Sequence, residues 1–224
     1  AVFGHSRCSV HGAHTPSVLR AGAFDPDGRV VALSWFGTEP VLWNRQANTH
    51  ESLGDAGADR CDDGRPGLVT ALAFSLDRRM LAVGRYSGRV ELWALWPDGT
   101  LAPGETRVLC HHAETVTALA FTADSSALVS GTERGELAIW TDLHGREEPL
   151  ASAVPGQRPV RGIAPTSEGL FVLMEGGDLW FERPTFTRAA LAAELGRRGR
   201  TCIDRTERMR FMLEGRFDAG EAAQ

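Results

Sequence analysis

One hexapeptide occurs twice without change: Val69-Thr70-Ala71-Leu72-Ala73-Phe74 and Val116-Thr117-Ala118-Leu119-Ala120-Phe121. The residues that follow keep the same frame. Phe74 leads to Asp77, Leu81-Ala82-Val83-Gly84, Gly88 and Leu92-Trp93; Phe121 leads to Asp124, Leu128-Val129-Ser130-Gly131, Gly135 and Ile139-Trp140. Chance does not place an identical hexapeptide inside a shared frame of this length. A chain built this way folds as a row of similar units, each burying apolar surface against the next.

Two weaker copies flank the pair. Upstream, Leu19 and Ala23-Phe24 precede the turn Asp25-Pro26-Asp27-Gly28, the run Val30-Val31-Ala32-Leu33 and then Val41-Leu42-Trp43. Downstream, Val160, Ile163 and Ala164 precede Leu170-Phe171-Val172-Leu173, Gly176-Gly177 and Leu179-Trp180. Trp43, Trp93, Trp140 and Trp180 stand 50, 47 and 40 residues apart, near the period of a four-stranded propeller blade. Each unit shows three short strands, joined first by an Asp/Gly/Ser turn and then by a Gly-containing turn. Val69, Ala71 and Ala73 point one way and Thr70, Leu72 and Phe74 the other, so both faces are apolar. A sheet with one wet face alternates polar and apolar residues; burial on both faces is what stacked blades require. A doubly wound α/β arrangement fails, because Gly54 to Gly67 and Pro97 to Gly104 are rich in Pro, Gly and Asp and lack helical periodicity. The expected class is all-β, with at least four propeller blades.

At this point the units resemble WD repeats, and the third matches best. His112, Val116, Phe121, Asp124, Ser130-Gly131, Gly135 and Trp140 fall at that family's spacing. The resemblance implies a structural network in which a His, a strand Ser or Thr, a strand Trp and a turn Asp share hydrogen bonds. His112, Ser130 and Trp140 supply three members, and Trp43 and Trp93 take the Trp position in the first two units. Arg134 stands at the turn Asp position with Glu133 beside it, which leaves the network incomplete. Arg65 replaces the His of the second unit, and the dipeptide Trp-Asp occurs nowhere.

The blades are expected at about 15–53, 65–109, 110–151 and 156–184, together spanning 15–184. Residues 1–14 are an N-terminal segment able to serve as a closing strand, since that family commonly completes its last blade from the N-terminus. Four units are fewer than the family's usual number, so the seam is expected to be open or borrowed. Residues 185–224 read as a helical tail. Ala189, Leu191, Ala192 and Leu195 suggest one helix, and Met209, Met212 and Leu213 a second that Asp204 or Thr206 caps. The chain opens on Ala rather than Met, as a processed product or an excised piece of a longer protein does.

A formal net charge of −5, with no long single-sign run, gives no electrostatic footprint for nucleic acid or an anionic membrane. All 24 basic residues are Arg, which reads as codon bias in a GC-rich bacterial genome. Cys8, Cys61, Cys110 and Cys202 form no Cys-x-x-Cys pair; reduced thiols in a cytoplasm are expected. His5, Cys8, His11 and His14 recur every three residues and are all metal-ligand types. That spacing does not match the usual zinc pairs, so an ordinary terminal segment is the first reading and a metal site the second. No nucleophile elbow, phosphate loop or dinucleotide fingerprint is present, and no cofactor is expected.

These readings favour a non-catalytic protein-binding scaffold or sensor of a bacterial signalling or effector system. The alternative is a small metal-dependent propeller enzyme using His5, Cys8, His11 and His14. In WD-repeat proteins the residue after the first-strand Val and the residue ending the second strand face one rim. The resemblance thus implies a binding rim of Arg20, Thr70, Thr117 and Arg161 with Trp35, Arg85 and Thr132. The expected partner is a protein: an upstream effector domain of peptidase, kinase or NTPase type, or another copy of the chain. No nucleic acid or membrane is expected.

Overall fold

The computed structural model describes residues 18–36, 38–54, 68–110, 112–141, 143, 150–153, 158–166 and 170–182. The helical tail, the N-terminal segment, the His5/Cys8/His11/His14 group and Arg65 all lie outside them. Within them the chain is all-β, and no helix is long and apolar enough to cross a membrane.

Among the described residues, fifteen strands form four antiparallel sheets. Blade 1 holds β1 (Leu19–Phe24), β2 (Val30–Trp35), β3 (Val41–Asn44) and β4 (Thr49–Ser52). Blade 2 holds β5 (Val69–Phe74), β6 (Met80–Arg85), β7 (Arg89–Leu95) and β8 (Leu101–Cys110). Blade 3 holds β9 (Val116–Phe121), β10 (Leu128–Thr132), β11 (Glu136–Trp140) and β12 (Leu150–Ala153). Blade 4 shows β13 (Val160–Pro165), β14 (Leu170–Met174) and β15 (Leu179–Glu182). Strand order within each sheet follows the sequence, and consecutive first strands are neighbours, β1 to β5, β5 to β9 and β9 to β13. The first strands therefore line the inner side of an arc of blades.

Two sequence expectations need correction. The first three blades each carry a fourth strand, and β8 begins inside Pro97–Gly104, which reads as a linker. A fourth strand is the outer edge of its sheet, so it tolerates Pro103 and needs no apolar alternation; β4 is exposed along its whole length. The second correction concerns Trp180. Leu128 pairs with Trp140 in blade 3, whereas Leu170, its equivalent, pairs with Glu182. Glu182 thus occupies the blade Trp position, and Trp180 sits two residues early, opposite Val172. Counting along the sequence does not reveal the slip, because it lies in the pairing register.

The core consists of the seams between blades. Val30, Ala32, Leu42 and Leu53 of blade 1 pack on Val69, Phe74, Leu81, Val83 and Trp93 of blade 2. The opposite face of blade 2, with Met80, Ala82, Val90 and Leu92, packs on Val116, Phe121, Leu128 and Trp140 of blade 3. Ala118, Val129, Leu137 and Ile139 then meet Val160, Leu170, Val172 and Met174. Small residues set the spacing: a Cβ on Gly84 would lie 2.7 Å from Val116 Cγ1, and one on Gly131 would lie 2.6 Å from Val160 Cγ1. Gly88 (φ 87°) ends the β6–β7 turn, where a Cβ would meet the His112 carbonyl oxygen at 2.2 Å. Only glycine satisfies that conformation and that approach together.

Candidate functional site

The same irregularity opens every blade. Pairing between the first two strands slips at Leu19/Ala21, Val69/Ala71, Val116/Ala118 and Val160/Gly162, leaving Arg20, Thr70, Thr117 and Arg161 as the extra residues of four equivalent β-bulges. A bulge re-aims the side chain it carries. Opposite the bulges lie Trp35, Arg85, Thr132 and Met174. The seven residues that the family resemblance assigns to a rim therefore gather at one end of the blades, but they do different things there.

Thr70 and Thr117 hold the seams. Thr70 Oγ1 donates to the Val116 carbonyl of blade 3 at 2.5 Å, and Thr117 Oγ1 to the Val160 carbonyl of blade 4 at 2.6 Å. Thr132 is fully buried, and its hydroxyl accepts from the Glu136 amide at 3.1 Å. Arg85 is buried as well. Its Nε donates to Glu91 at 2.5 Å and its Nη2 to Glu39 of blade 1 at 2.8 Å. Burial pulls this guanidinium's pKa down, but the hydrogen bonds and charges of Glu91 and Glu39 outweigh burial and raise it above the ordinary arginine value. Arg161 is exposed and pairs with Glu175 at 2.5 Å.

On blade 1 Arg20 is exposed and Trp35 half-buried. The Arg20 guanidinium carbon lies 5.9 Å from the centre of the exposed Phe36 ring, within cation–π range. Tyr86 holds the same position in blade 2 and is also exposed. Both amides bond back to the residue before the first strand, Phe36 to Val18 and Tyr86 to Leu68. In blades 3 and 4 the position passes to Glu133 and Glu175, bonded in the same way. This end thus changes from aromatic over blades 1 and 2 to charged over blades 3 and 4. Phe36 and Tyr86 escape the Val-plus-one rule because each stands one residue beyond the strand end that the rule selects.

The blade 3 network contains His112, Ser130 and Trp140, and it has a fourth member. Trp140 Nε1 donates to Ser130 Oγ at 2.9 Å, and His112 Nε2 lies 2.7 Å from the same oxygen. His112 Nδ1 meets Glu136 Oε2 at 3.0 Å. A carboxylate only accepts, so Nδ1 carries the hydrogen; in the neutral ring Nε2 accepts from the Ser130 hydroxyl. Glu136 therefore completes the network from the start of β11, where the turn positions Arg134 and Glu133 do not. In blade 2 a charged hub replaces it. The fully buried Glu91 accepts from Trp93 Nε1 at 3.1 Å and from Arg85, and pairs with Arg89 at 3.0 Å. Trp43 is half-buried on blade 1.

The opposite end carries structural turns. Asp25 caps Val30 N at 2.9 Å, Ser75 and Thr122 bond Asp77 and Asp124, Arg78 pairs with Asp27 across blades 1 and 2, and Ser125 Oγ accepts from Asp77 N across blades 2 and 3. A cleft of about 410 Å3 between blades 1 and 2 is lined by such residues, including Asp25, Asn44, Arg78 and Asp98. Among the described residues no group of three or more His, Cys, Asp or Glu is placed to hold a metal.

The family pattern described as "WD domain, G-beta repeat" matches residues 104–141, which cover the end of β8 and most of blade 3. The matched stretch is a WD repeat by this pattern, and the other three blades are similar to it in strand order. Telomerase protein component 1 of Mus musculus is 36% identical to this chain over 85 residues, and its Rattus norvegicus counterpart 35% over 86. Each match covers 38% of this chain and 3% of the relative. The crystal structure of the computationally designed Ika4 protein superposes with a TM-score of 0.57 at 22% identity, covering 80% of this chain and 98% of that one, a likeness of fold. WD-repeat domains generally mediate protein–protein contacts, and typically as scaffolds rather than enzymes.

Proposed function

We propose that this WD-repeat chain is a non-catalytic scaffold or sensor module of a bacterial signalling or effector system. It engages its protein partner through the bulge end of blades 1 and 2. The observation that carries this reading is the exposed pair Phe36 and Tyr86 at one position of consecutive blades, with Arg20 over Phe36. Aromatic and arginine side chains dominate binding energy at protein interfaces, and here they are free of the seam duties that occupy Thr70, Thr117, Thr132 and Arg85. The partner surface that fits is apolar beside a carboxylate, suited to rings flanked by a guanidinium. An upstream effector domain is the partner class proposed. The arginine-only basic complement supports a bacterial source, and four cysteines without paired spacing support a reducing cytoplasm.

The test is quantitative capture from the source cell with Phe36→Ala/Tyr86→Ala and with Arg161→Ala, each beside the unaltered chain. A partner lost with the aromatic pair and retained with Arg161→Ala is the expected result. A partner retained by the aromatic double variant would sink the rim assignment.

A further inference from the structure

Each second strand joins its third through a turn of equal length, and the residue after the turn is charged in all four blades: Glu39, Arg89, Glu136 and Asp178. The last residue of the turn differs. Blades 2, 3 and 4 place Gly88, Gly135 and Gly177 there, at φ 87°, 83° and 90°, a left-handed closure that glycine adopts without strain. Blade 1 places Thr38 there, a β-branched residue for which that region is costly. Thr38 meets the Trp35 carbonyl with its amide and its hydroxyl, both at 3.3 Å. The turn that carries Phe36 thus lacks the glycine that fixes the other three.

The charged residue after the turn compensates. Arg89 pairs with Glu91 of its own blade, while Glu136 pairs with His112 and Asp178 with Arg158 at the entries of theirs. Glu39 crosses the seam instead, and its Oε2 accepts from Arg85 Nη2 of blade 2 at 2.8 Å. Arg85 is a fixed anchor. The fully buried Glu91 accepts from its Nε at 2.5 Å and from its Nη2 at 3.1 Å, which sets the plane of the guanidinium. Arg85 also stands directly before Tyr86. One buried guanidinium therefore holds the strand end that presents Tyr86 and, through Glu39, the turn that presents Phe36.

We infer that Glu39 is a positioning residue for this aromatic pair, fixing Phe36 relative to Tyr86 by locking the β2–β3 turn onto Arg85. The inference rests on the reading of that pair as the binding surface. Glu39 contributes little to the fold at large. Its side chain is 41% exposed, and Arg85 keeps Glu91 when Glu39 is removed, so no buried charge is left alone. A positioning role and a merely structural one differ in what removal disturbs, the single turn or all the blades.

Hydrogen exchange on the full chain reads the Phe36 and Thr38 amides, which bond to the Val18 and Trp35 carbonyls. Glu39→Ala is expected to speed both about tenfold, with the Glu133 and Glu175 amides and the urea midpoint unchanged. Glu39→Gln keeps a carbonyl oxygen for Arg85, and Thr38→Gly/Glu39→Ala supplies the missing glycine; each is expected to bring exchange back to within about threefold of the unaltered chain. Capture of the partner should fall with Glu39→Ala and return with both rescuing variants. Unchanged exchange at Phe36 and Thr38 in Glu39→Ala would overturn the inference. So would faster exchange in every blade with a lower urea midpoint, which marks a seam contact only. Undiminished capture by Glu39→Ala, beside loss in Phe36→Ala/Tyr86→Ala, would overturn it as well. A partner retained by Phe36→Ala/Tyr86→Ala sinks the binding reading and this inference with it, and the exchange result shows separately whether Glu39 holds the turn.

Discussion

Blades 2 and 3 begin with the same hexapeptide in the same register, yet they anchor their tryptophans by different chemistry. In blade 3 the indole of Trp140 ends on the Ser130 hydroxyl, in a network with His112 and Glu136. In blade 2 the indole of Trp93 ends on the Glu91 carboxylate, which two buried arginines neutralise. Val83 stands where Ser130 does, and Glu91 where Ala138 does. The acceptor has moved from the second strand to the third, on the same face of the sheet. The backbone frame thus requires an acceptor for the indole N–H without dictating its source. The charged hub also reaches Glu39 of blade 1, so it ties two blades together, while the Ser130 network stiffens blade 3 and the loop that enters it.

The largest expected effect breaks the charged side of this comparison. Glu91→Ala leaves the buried Arg85 and Arg89 without their shared carboxylate and is expected to cost about 3–5 kcal/mol, read by urea unfolding. Ser130→Ala breaks the hydroxyl side. It removes the buried hydroxyl that accepts from the Trp140 N–H and meets the His112 Nε2, and is expected to cost about 1–3 kcal/mol by the same measurement. A larger loss for Ser130→Ala than for Glu91→Ala would reverse the ranking of the two hubs.

The smallest effect concerns the β9–β10 turn that leads into the blade 3 network. Hydrogen bonds from Thr122 and then Ser126 hold the Asp124 pKa below its ordinary 3.8, against a weaker opposing effect of burial. A carboxylate whose folded pKa is lowered stabilises the fold above its unfolded value, and that contribution fades as pH falls through the folded value. The Tm advantage of the unaltered chain over Asp124→Asn should therefore shrink between about pH 5 and pH 3. A constant difference across that range would show that the turn hydrogen bonds do not depend on the charge.

Much of the fold was legible because strands buried on both faces leave a dense apolar pattern. The hexapeptide marks β5 and β9, and the Gly- and Asp-containing turns mark the hairpins that follow. The outer strands were harder to see. Thr49-His50-Glu51-Ser52 is exposed throughout, so its pairing leaves no hydrophobic trace, and β8 hides behind Pro103 and Gly104. Of the site, His112, Ser130 and Trp140 were implied by the WD-repeat resemblance of the best-kept unit. Glu91 stands two residues before Trp93 on the same strand face, a signal that alternation alone makes available. Glu136 could not be found that way, because its approach to His112 depends on how the entry loop returns to the sheet.

The sequence by itself determined that this chain is an all-β row of stacked blades, because short strands apolar on both faces bury that surface between neighbouring sheets. Tertiary structure decided what each repeated position does. The bulge that carries Arg20, Thr70, Thr117 and Arg161 is one local feature, yet two of these residues bond the next blade, one lies over an aromatic ring and one pairs with a surface carboxylate. A position in a repeat fixes where a side chain starts; only the neighbouring blade, by covering it or leaving it open, settles whether it holds the fold or meets a partner.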